Sequence, residues 1–266
     1  MITERHAVLD ATAQRLATAW RDGTQIPSAE VAVRDEIEAR RVQHAVWRLL
    51  EPQAASPGGW KVGAKGPSAP VGEAPLPTMG LLQSGVAVGG RDVRLRGIEL
   101  ELALRLGRDV DPDIGRDNDS AAISSDARLL SCIDAVCSAI ELVETRLADW
   151  DSAPPLAKQA DLQSHKALVL GPWAAAPGAL PDLRAMRAQL HINQALHADT
   201  TGGNTAQDLA RLLRTLAVSA KARGLALRAG QVITTGACTG LVFAPRGAAV
   251  RGQIDDLPPV ALRFAD

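Results

Sequence analysis

Three glutamates set among apolar residues are the first chemical signal in this chain. Residues 97–107 (GIELELALRLG) alternate almost without a break. Ile98, Leu100, Leu102, Leu104 and Leu106 face one way on a strand, and Glu99, Glu101, Ala103 and Arg105 face the other. The two carboxylates then share a face at roughly 7 Å. On a solvated face they are the polar side of an amphipathic strand. On a buried face their repulsion calls for a cation, and hard oxygen donors suit Mg²⁺ or Mn²⁺. Glu141, between Ile140 and Leu142 in a second apolar run, also needs a partner to stay ionised. Arg146 could be that partner, or Glu141 could be a third metal ligand.

Lysine is scarce, and Lys61 lies in GWKVG (59–63), where glycines permit close approach of backbone or ligand. Such a lysine can bind a carboxylate or move a proton if partly desolvated, or it can be an ordinary exposed strand residue. The five histidines do not cluster and read mostly as surface or core-edge residues. His191 and His197 fall in one expected strand, too far apart to share an ion. His165 follows Asp161 and Ser164, but no GxSxG elbow supports a serine hydrolase triad. Nucleotide-binding GxGxxG and GxxxxGK[ST] motifs are absent. With no Tyr in the chain, tyrosine chemistry is excluded.

These residues need a scaffold, and the pattern predicts one. Val8, Leu9, Ala13, Leu16, Ala17 and Trp20 recur at helical spacing, as do Val33, Ile37, Val42, Val46, Leu49 and Leu50. After the Pro/Gly-rich break at 51–59 come short strands: GWKVG, GVAVGG, GIELELALRLG, ALVLGP and GQVITTG. Two later helices are expected, near 125–136 and over 205–223, with polar loops at 108–126 and 151–163. The strands follow one another without a regular βαβ repeat. The expected fold is therefore α+β, with a helical segment at 1–56 and a mixed β domain at 57–266. The 266 residues are ample for a core, and 29 basic against 30 acidic side chains give no general attraction to nucleic acid or an anionic membrane. Cys132, Cys137 and Cys238 form no CxxC pair and read as reduced thiols. A charged N-terminus in place of a signal peptide, and no apolar span, point to the cytoplasm.

Taken in order, the segments resemble the fumarylacetoacetate hydrolase superfamily, in its branch of 2-keto-4-pentenoate hydratases and 4-oxalocrotonate decarboxylases. The matching pieces are Gln43, GWKVG with Lys61, GIELELALRLGRD with Glu99 and Glu101, and AIELVETRLADW with Glu141 and Arg146. ADLQSHKALVLG with Asp161 and Ser164 follows, then LRAGQVITTGACTG with Thr235 and Gly236. The resemblance implies a distorted β-roll around a divalent cation, Mg²⁺ or Mn²⁺, held by Glu99, Glu101 and Glu141. It implies Lys61, Asp161 and Ser164 as catalytic residues, and Thr235, Gly236 and Arg146 as substrate-binding ones. The implied substrate is a small 2-oxo acid, whose carboxylate and 2-oxo oxygen meet the metal while the metal stabilises the enolate. Homo-oligomers are common among such relatives.

The sequence also departs from that pattern. Where the branch carries a PDFG-like turn with an acid, this chain has Pro77-Thr-Met-Gly80, so Thr78 replaces the acid. An Asp-Asn-x-Ser segment appears as Asp161-Leu-Gln-Ser164, and a Gly-Leu-Thr-Ser turn as Gly63-Ala-Lys-Gly66. The expected activity is hydration of a 2-hydroxy-2,4-dienoate to a 4-hydroxy-2-oxo acid. The alternative is decarboxylation of a 4-oxalocrotonate-type diacid, which needs the same enolate but no added water. Acylpyruvate hydrolysis would require a His–Glu pair in an N-terminal lid, which the sequence lacks. A ligand-binding homologue without turnover is the non-catalytic reading.

Overall fold

The structure is a computed structural model, and it describes residues 2–90, 93–110, 122–176 and 178–265. Two helices come first, α1 (Ile2–Asp22) and α2 (Glu36–Leu50). Asp35 caps α2 by accepting a bond from the Glu38 amide. Next come β1 (Gly59–Ala64), β2 (Val71–Leu76), β3 (Leu81–Gln83), β4 (Val86–Val88) and β5 (Gly97–Leu106). Helix α3 (Ala122–Cys132) leads into β6 (Ile133–Val143), and α4 (Pro155–Ala160) precedes β7 (His165–Leu170) and β8 (Ala174–Ala175). The hairpin β9 (Arg187–Ile192) and β10 (Ala195–Thr201) is followed by α5 (Leu209–Ala222). Strands β11 (Val232–Ala237), β12 (Val242–Phe243), β13 (Ala249–Ile254) and β14 (Val260–Phe264) complete the chain.

The strands form two sheets. The larger runs β2-β1-β11-β5-β6-β7-β3, with β12 on β5 and β8 on β6; the smaller runs β10-β9-β13-β14-β4. Parallel and antiparallel pairs mix in both, as expected for a β-roll without a βαβ repeat. Ile98, Leu100, Leu102, Leu104 and Leu106 are at most 2% exposed and fill the space between the sheets with Ile140, Leu190, Val250 and Leu262. That burial of one whole face fixes the strand register, because a one-residue slip would drive the glutamates into the core. Close sheet contact depends on Gly59, where a Cβ would lie 2.2 Å from the Val232 carbonyl oxygen of the neighbouring strand.

The two N-terminal helices build their own core. Leu9, Leu16, Trp20, Val42 and Val46 pack with Leu147, Ala157, Ala160 and Leu162. A parallel bridge pairs Ile26 with Leu147, with the Ile26 amide donating to the Arg146 carbonyl at 2.8 Å. The helices are thus fastened to the segment after β6, beside the strand that carries Glu141.

Several expectations change. The helix expected near 125–136 ends at Cys132, and residues 133–136 open β6. Their apolar run suits either state, and pairing with β5 selects the strand. The loop expected at 151–163 contains α4, which buries Ala157 and Ala160 and starts on prolines that can begin a helix but not continue one. The later helix starts at Leu209, not residue 205. Val33 precedes α2, and Ile37 is 78% exposed, so neither belongs to its apolar face. His191 and His197 lie on two paired strands, β9 and β10, rather than on one. Most of the loop expected at 108–126 lies outside the described residues. All three cysteines are free and buried, and no described helix is long and apolar enough to cross a membrane.

Candidate metal centre and cavity

Pairing in the larger sheet brings the glutamates together. Strands β5 and β6 are antiparallel with Glu99 opposite Glu141 and Glu101 opposite Ala139, so the three carboxylates share the face away from the intersheet core. One ligand oxygen from each of Glu99, Glu101 and Glu141 lies within 4.8 Å of the others. Glu101 and Glu141 are buried and Glu99 is half-buried. The solvated-face reading of the alternating strand therefore fails, and a hard divalent cation fits this all-oxygen donor set.

Neighbouring strands hold each carboxylate. Glu101 Oε2 accepts bonds from the Thr234 hydroxyl and, at 2.8 Å, from the Gly236 amide on β11. Gly236 has φ +93°, a left-handed conformation that favours glycine, at the irregularity where β11 shifts register against β5. Lys61 on β1 reaches across the sheet, its Nζ donating to both Glu141 oxygens at 2.7 and 2.8 Å and to the Gln163 carbonyl at 3.3 Å. His165 Nδ1 lies 2.8 Å from Glu141 Oε1.

The electrostatics follow from this crowding. Burial, then repulsion from Glu141, raises the Glu99 carboxyl to about 7. Glu101 is also pushed well up, by burial first and then by the charges of Glu141 and Glu99. Burial would raise Glu141 too, but Lys61 and His165 overcome it and hold the group down at about 2. Burial acts to discharge Lys61, yet the three carboxylates outweigh it and keep the ammonium charged. Burial lowers His165 against the pull of Glu141, favouring neutral imidazole. Three crowded acids, two of them buried, sharing one ammonium are short of positive charge, which a dication would supply.

Above the carboxylates opens a cavity of about 710 Å³. Its floor is sheet, with Lys61, Glu99, Glu101 and Gly236; its wall is helical, with Arg40 from α2 and Lys158 from α4. Ser164 and Gln163 also line it. Ser164 Oγ accepts a bond from the Trp150 indole at 2.9 Å. Residues 162–164 all have positive φ, between 49° and 59°, a strained conformation for non-glycine residues and one that recurs at functional sites.

Other expected site residues lie outside the lining. Arg146 does not pair with Glu141; its Nε donates to Asp161 Oδ1 at 2.5 Å, and both residues are buried. Asp161 also accepts from the Arg146 amide and the Thr145 hydroxyl. Burial pushes the Asp161 carboxyl upward, while its three donors favour the ionised form. Thr235 turns to the opposite face, its hydroxyl donating to the Leu102 carbonyl, as side-chain alternation after Thr234 requires. Gln43 is buried under the helical wall and donates to the Gln159 carbonyl. Thr78 is exposed and bonds Glu51, outside the cavity. The sequence reading missed His165, fully buried against Glu141 instead of at a surface or core edge. It also missed Thr234, Gln163 and Lys158; for Thr234 the only available signal was its place two residues before Gly236.

Fold and site together define an enzyme built on a mixed β-roll, with a carboxylate cluster fit for a metal at the floor of a pocket. The chain belongs to the fumarylacetoacetate hydrolase family: the profile described as Fumarylacetoacetate (FAA) hydrolase C-terminal matches residues 59–265. No curated protein sequence matches the chain. Among solved structures it is similar to 4-oxalocrotonate decarboxylase from Pseudomonas putida G7, complexed with magnesium and adipate, at 19% identity and TM-score 0.80 over 98% of both chains. The same decarboxylase complexed with calcium and acetate matches at 20% identity, TM-score 0.80 and the same coverage. Maleylpyruvate hydrolase from Sphingobium sp. SYK-6, with manganese(II) and pyruvate, matches at 17% identity and TM-score 0.54 over 77% of this chain and 69% of that one. At these identities the likeness is one of fold.

Proposed function

We propose that this protein is a divalent-metal-dependent lyase acting on a 2-oxo acid through its enolate, and that it hydrates a 2-hydroxy-2,4-dienoate to a 4-hydroxy-2-oxo acid. The observation that carries the reading is the cluster of Glu99, Glu101 and Glu141 beside the Lys61 ammonium, of which Lys61, Glu99 and Glu101 line the cavity floor. The metal is Mg²⁺ or Mn²⁺, in keeping with the magnesium and manganese complexes of the similar structures. Glu99, Glu101 and Glu141 would hold the ion, which would supply positive charge for an enolate. Lys61 adds a fixed ammonium at the same end of the cavity, preorganised by Glu141 and the Gln163 carbonyl. Thr234 and the Gly236 amide hold Glu101, and His165 holds Glu141, so the ligand oxygens do not have to reorganise during turnover. The helical wall encloses the rest of the substrate. The match over 98% of both chains extends to the helical segment, which supports the hydratase and decarboxylase branch. Among the described residues no histidine lines the cavity, which disfavours the acylpyruvate hydrolase reading.

A second reading is decarboxylation of a 4-oxalocrotonate-type diacid. Thr78 lies outside the cavity, and apart from Glu99 and Glu101 the only carboxylate among the described lining residues is Glu36, exposed at the rim. A base placed to activate water is therefore not evident, and decarboxylation needs none. Purified protein with Mg²⁺ is expected to consume 2-hydroxypenta-2,4-dienoate in an ultraviolet assay. Carbon dioxide release from 4-oxalocrotonate would instead select the second reading, and inactivity on all such dienoates, those with a second carboxylate included, and on 4-oxalocrotonate refutes the lyase. Glu101→Gln is expected to weaken Mg²⁺ binding beyond the ~10–100-fold loss typical of removing a residue that only orients a ligand. Full retention of binding would remove Glu101 from the ligand set.

A further inference from the structure

Four cations line the cavity, and their partners separate them. Lys61 is engaged by Glu141. Arg40 faces Glu36 at 3.4 Å and Glu73 at 3.9 Å. Lys65 is exposed on the turn after β1. Lys158 is different: it is half-buried on α4, and no carboxylate of the described residues forms an ion pair with it. Its Nζ sits 4.8 Å from the centroid of the Trp150 ring. That ring is held by its bond to Ser164 Oγ and by an edge contact with Phe243, centroids 6.3 Å apart. The ammonium is thus stacked on an anchored aromatic face, which limits its freedom without neutralising it. A partly desolvated cation that lacks a counter-charge and lines a cavity is a receptor for an anion.

The carboxylate cluster rises from the sheet floor, on β5 and β6, whereas Lys158 comes from the helical wall. On the reading above, which this step rests on, the 2-oxo acid end of the substrate lies at the floor. We propose that Lys158, backed by Trp150, binds a second carboxylate at the far end of the substrate, which is therefore a dianionic 2-oxo acid. A carboxylate gripped by a fixed ammonium is stabilised in place. Losing it as carbon dioxide would move its charge away from Lys158 and break the ion pair, so the subsite suits a far carboxylate that is retained in the product. Binding that is equal in ground and transition states lowers KM without changing kcat.

The test is calorimetric binding of two acids of equal chain length to the Mg²⁺-loaded protein, 2-oxoadipate and 2-oxohexanoate. Wild type is expected to bind 2-oxoadipate about tenfold more tightly. Lys158→Met should bring that ratio toward one, and Lys158→Arg should restore most of it. Equal wild-type affinities overturn the inference while leaving the 2-oxo acid reading intact. Loss of the preference in Lys65→Met but not in Lys158→Met overturns the assignment to Lys158. Failure of wild type to bind either acid overturns the 2-oxo acid reading and this inference with it. Where a dianionic substrate is turned over, Lys158→Met is expected to raise its KM; a higher kcat for carbon dioxide release would overturn the spectator role.

Discussion

Asp161→Asn separates a group that works on substrate from one that holds the scaffold. Asp161 and Arg146 are buried side by side, with side chains 2% and 5% exposed. The carboxylate accepts from Arg146 Nε, the Arg146 amide and the Thr145 hydroxyl, and the Asp161 carbonyl accepts from Arg146 Nη2. Arg146 in turn donates to the carbonyls of Glu144 and His165 and stacks on Trp20, 4.5 Å from the ring centroid. The pair therefore ties the end of β6 to the start of β7 and to α1. Asparagine keeps the shape but leaves the guanidinium without a counter-charge and turns one acceptor into a donor facing other donors. Breaking one side of a buried pair costs about 3–5 kcal/mol. At ~2–4 °C per kcal/mol for a chain of this size, Tm should fall by roughly 6–20 °C. Thermal unfolding followed by circular dichroism measures the shift, with Mg²⁺ absent so that ligand binding does not mask it. Arg146→Met/Asp161→Asn should lose less than the sum of the two single variants, because it removes the stranded charge. A Tm within about 2 °C of wild type, together with abolished turnover, would refute the scaffold assignment and return Asp161 to the reacting groups.

Two further outcomes follow from the site and the sheet. Because Glu99 is raised to about 7 by burial and by Glu141, its folded-state value lies above its ordinary one. Without metal its contribution to stability is complete below about pH 4.5 and is lost as pH rises through 7, whereas a cation needs the deprotonated carboxylate. Metal-free protein should thus lose stability through that window, and stabilisation by a fixed Mg²⁺ concentration should grow between pH 6 and 8; a flat Mg²⁺ increment in thermal unfolding would contradict this. Gly59→Ala places a Cβ 2.2 Å from the Val232 carbonyl oxygen, an obstacle in backbone that cannot swing aside. It should destabilise by at least about 2 kcal/mol through overpacking between β1 and β11, read as a lower urea midpoint.

Much of the fold was legible because burial leaves a periodic trace. The alternation of 97–107 marked β5 and its apolar face, and helical spacing marked α1 and most of α2. Legibility failed where apolar runs are too short to declare a period, as in α4 and at the junction of α3 with β6. The chemical residue types were legible as well, since carboxylates among apolar neighbours need a reason. Their partners were not. Arg146 stands five residues after Glu141 in sequence, yet it pairs with Asp161, while Lys61 crosses eighty positions to reach Glu141.

By itself the sequence determined that Glu99 and Glu101 share one strand face, because alternation along a strand is local geometry. It determined too that Glu141 lies in an apolar setting, because its immediate neighbours are aliphatic. Only tertiary structure decided that these carboxylates converge within 4.8 Å, since register between β5 and β6 depends on packing of the whole leucine face against the second sheet. It alone decided that Thr235 turns away, that Arg146 and Asp161 brace the frame, and that Lys158 lines the wall without an ion-pair partner among the described residues. Each of those outcomes depends on which distant segment lies opposite, and long-range pairing leaves no mark in the local pattern.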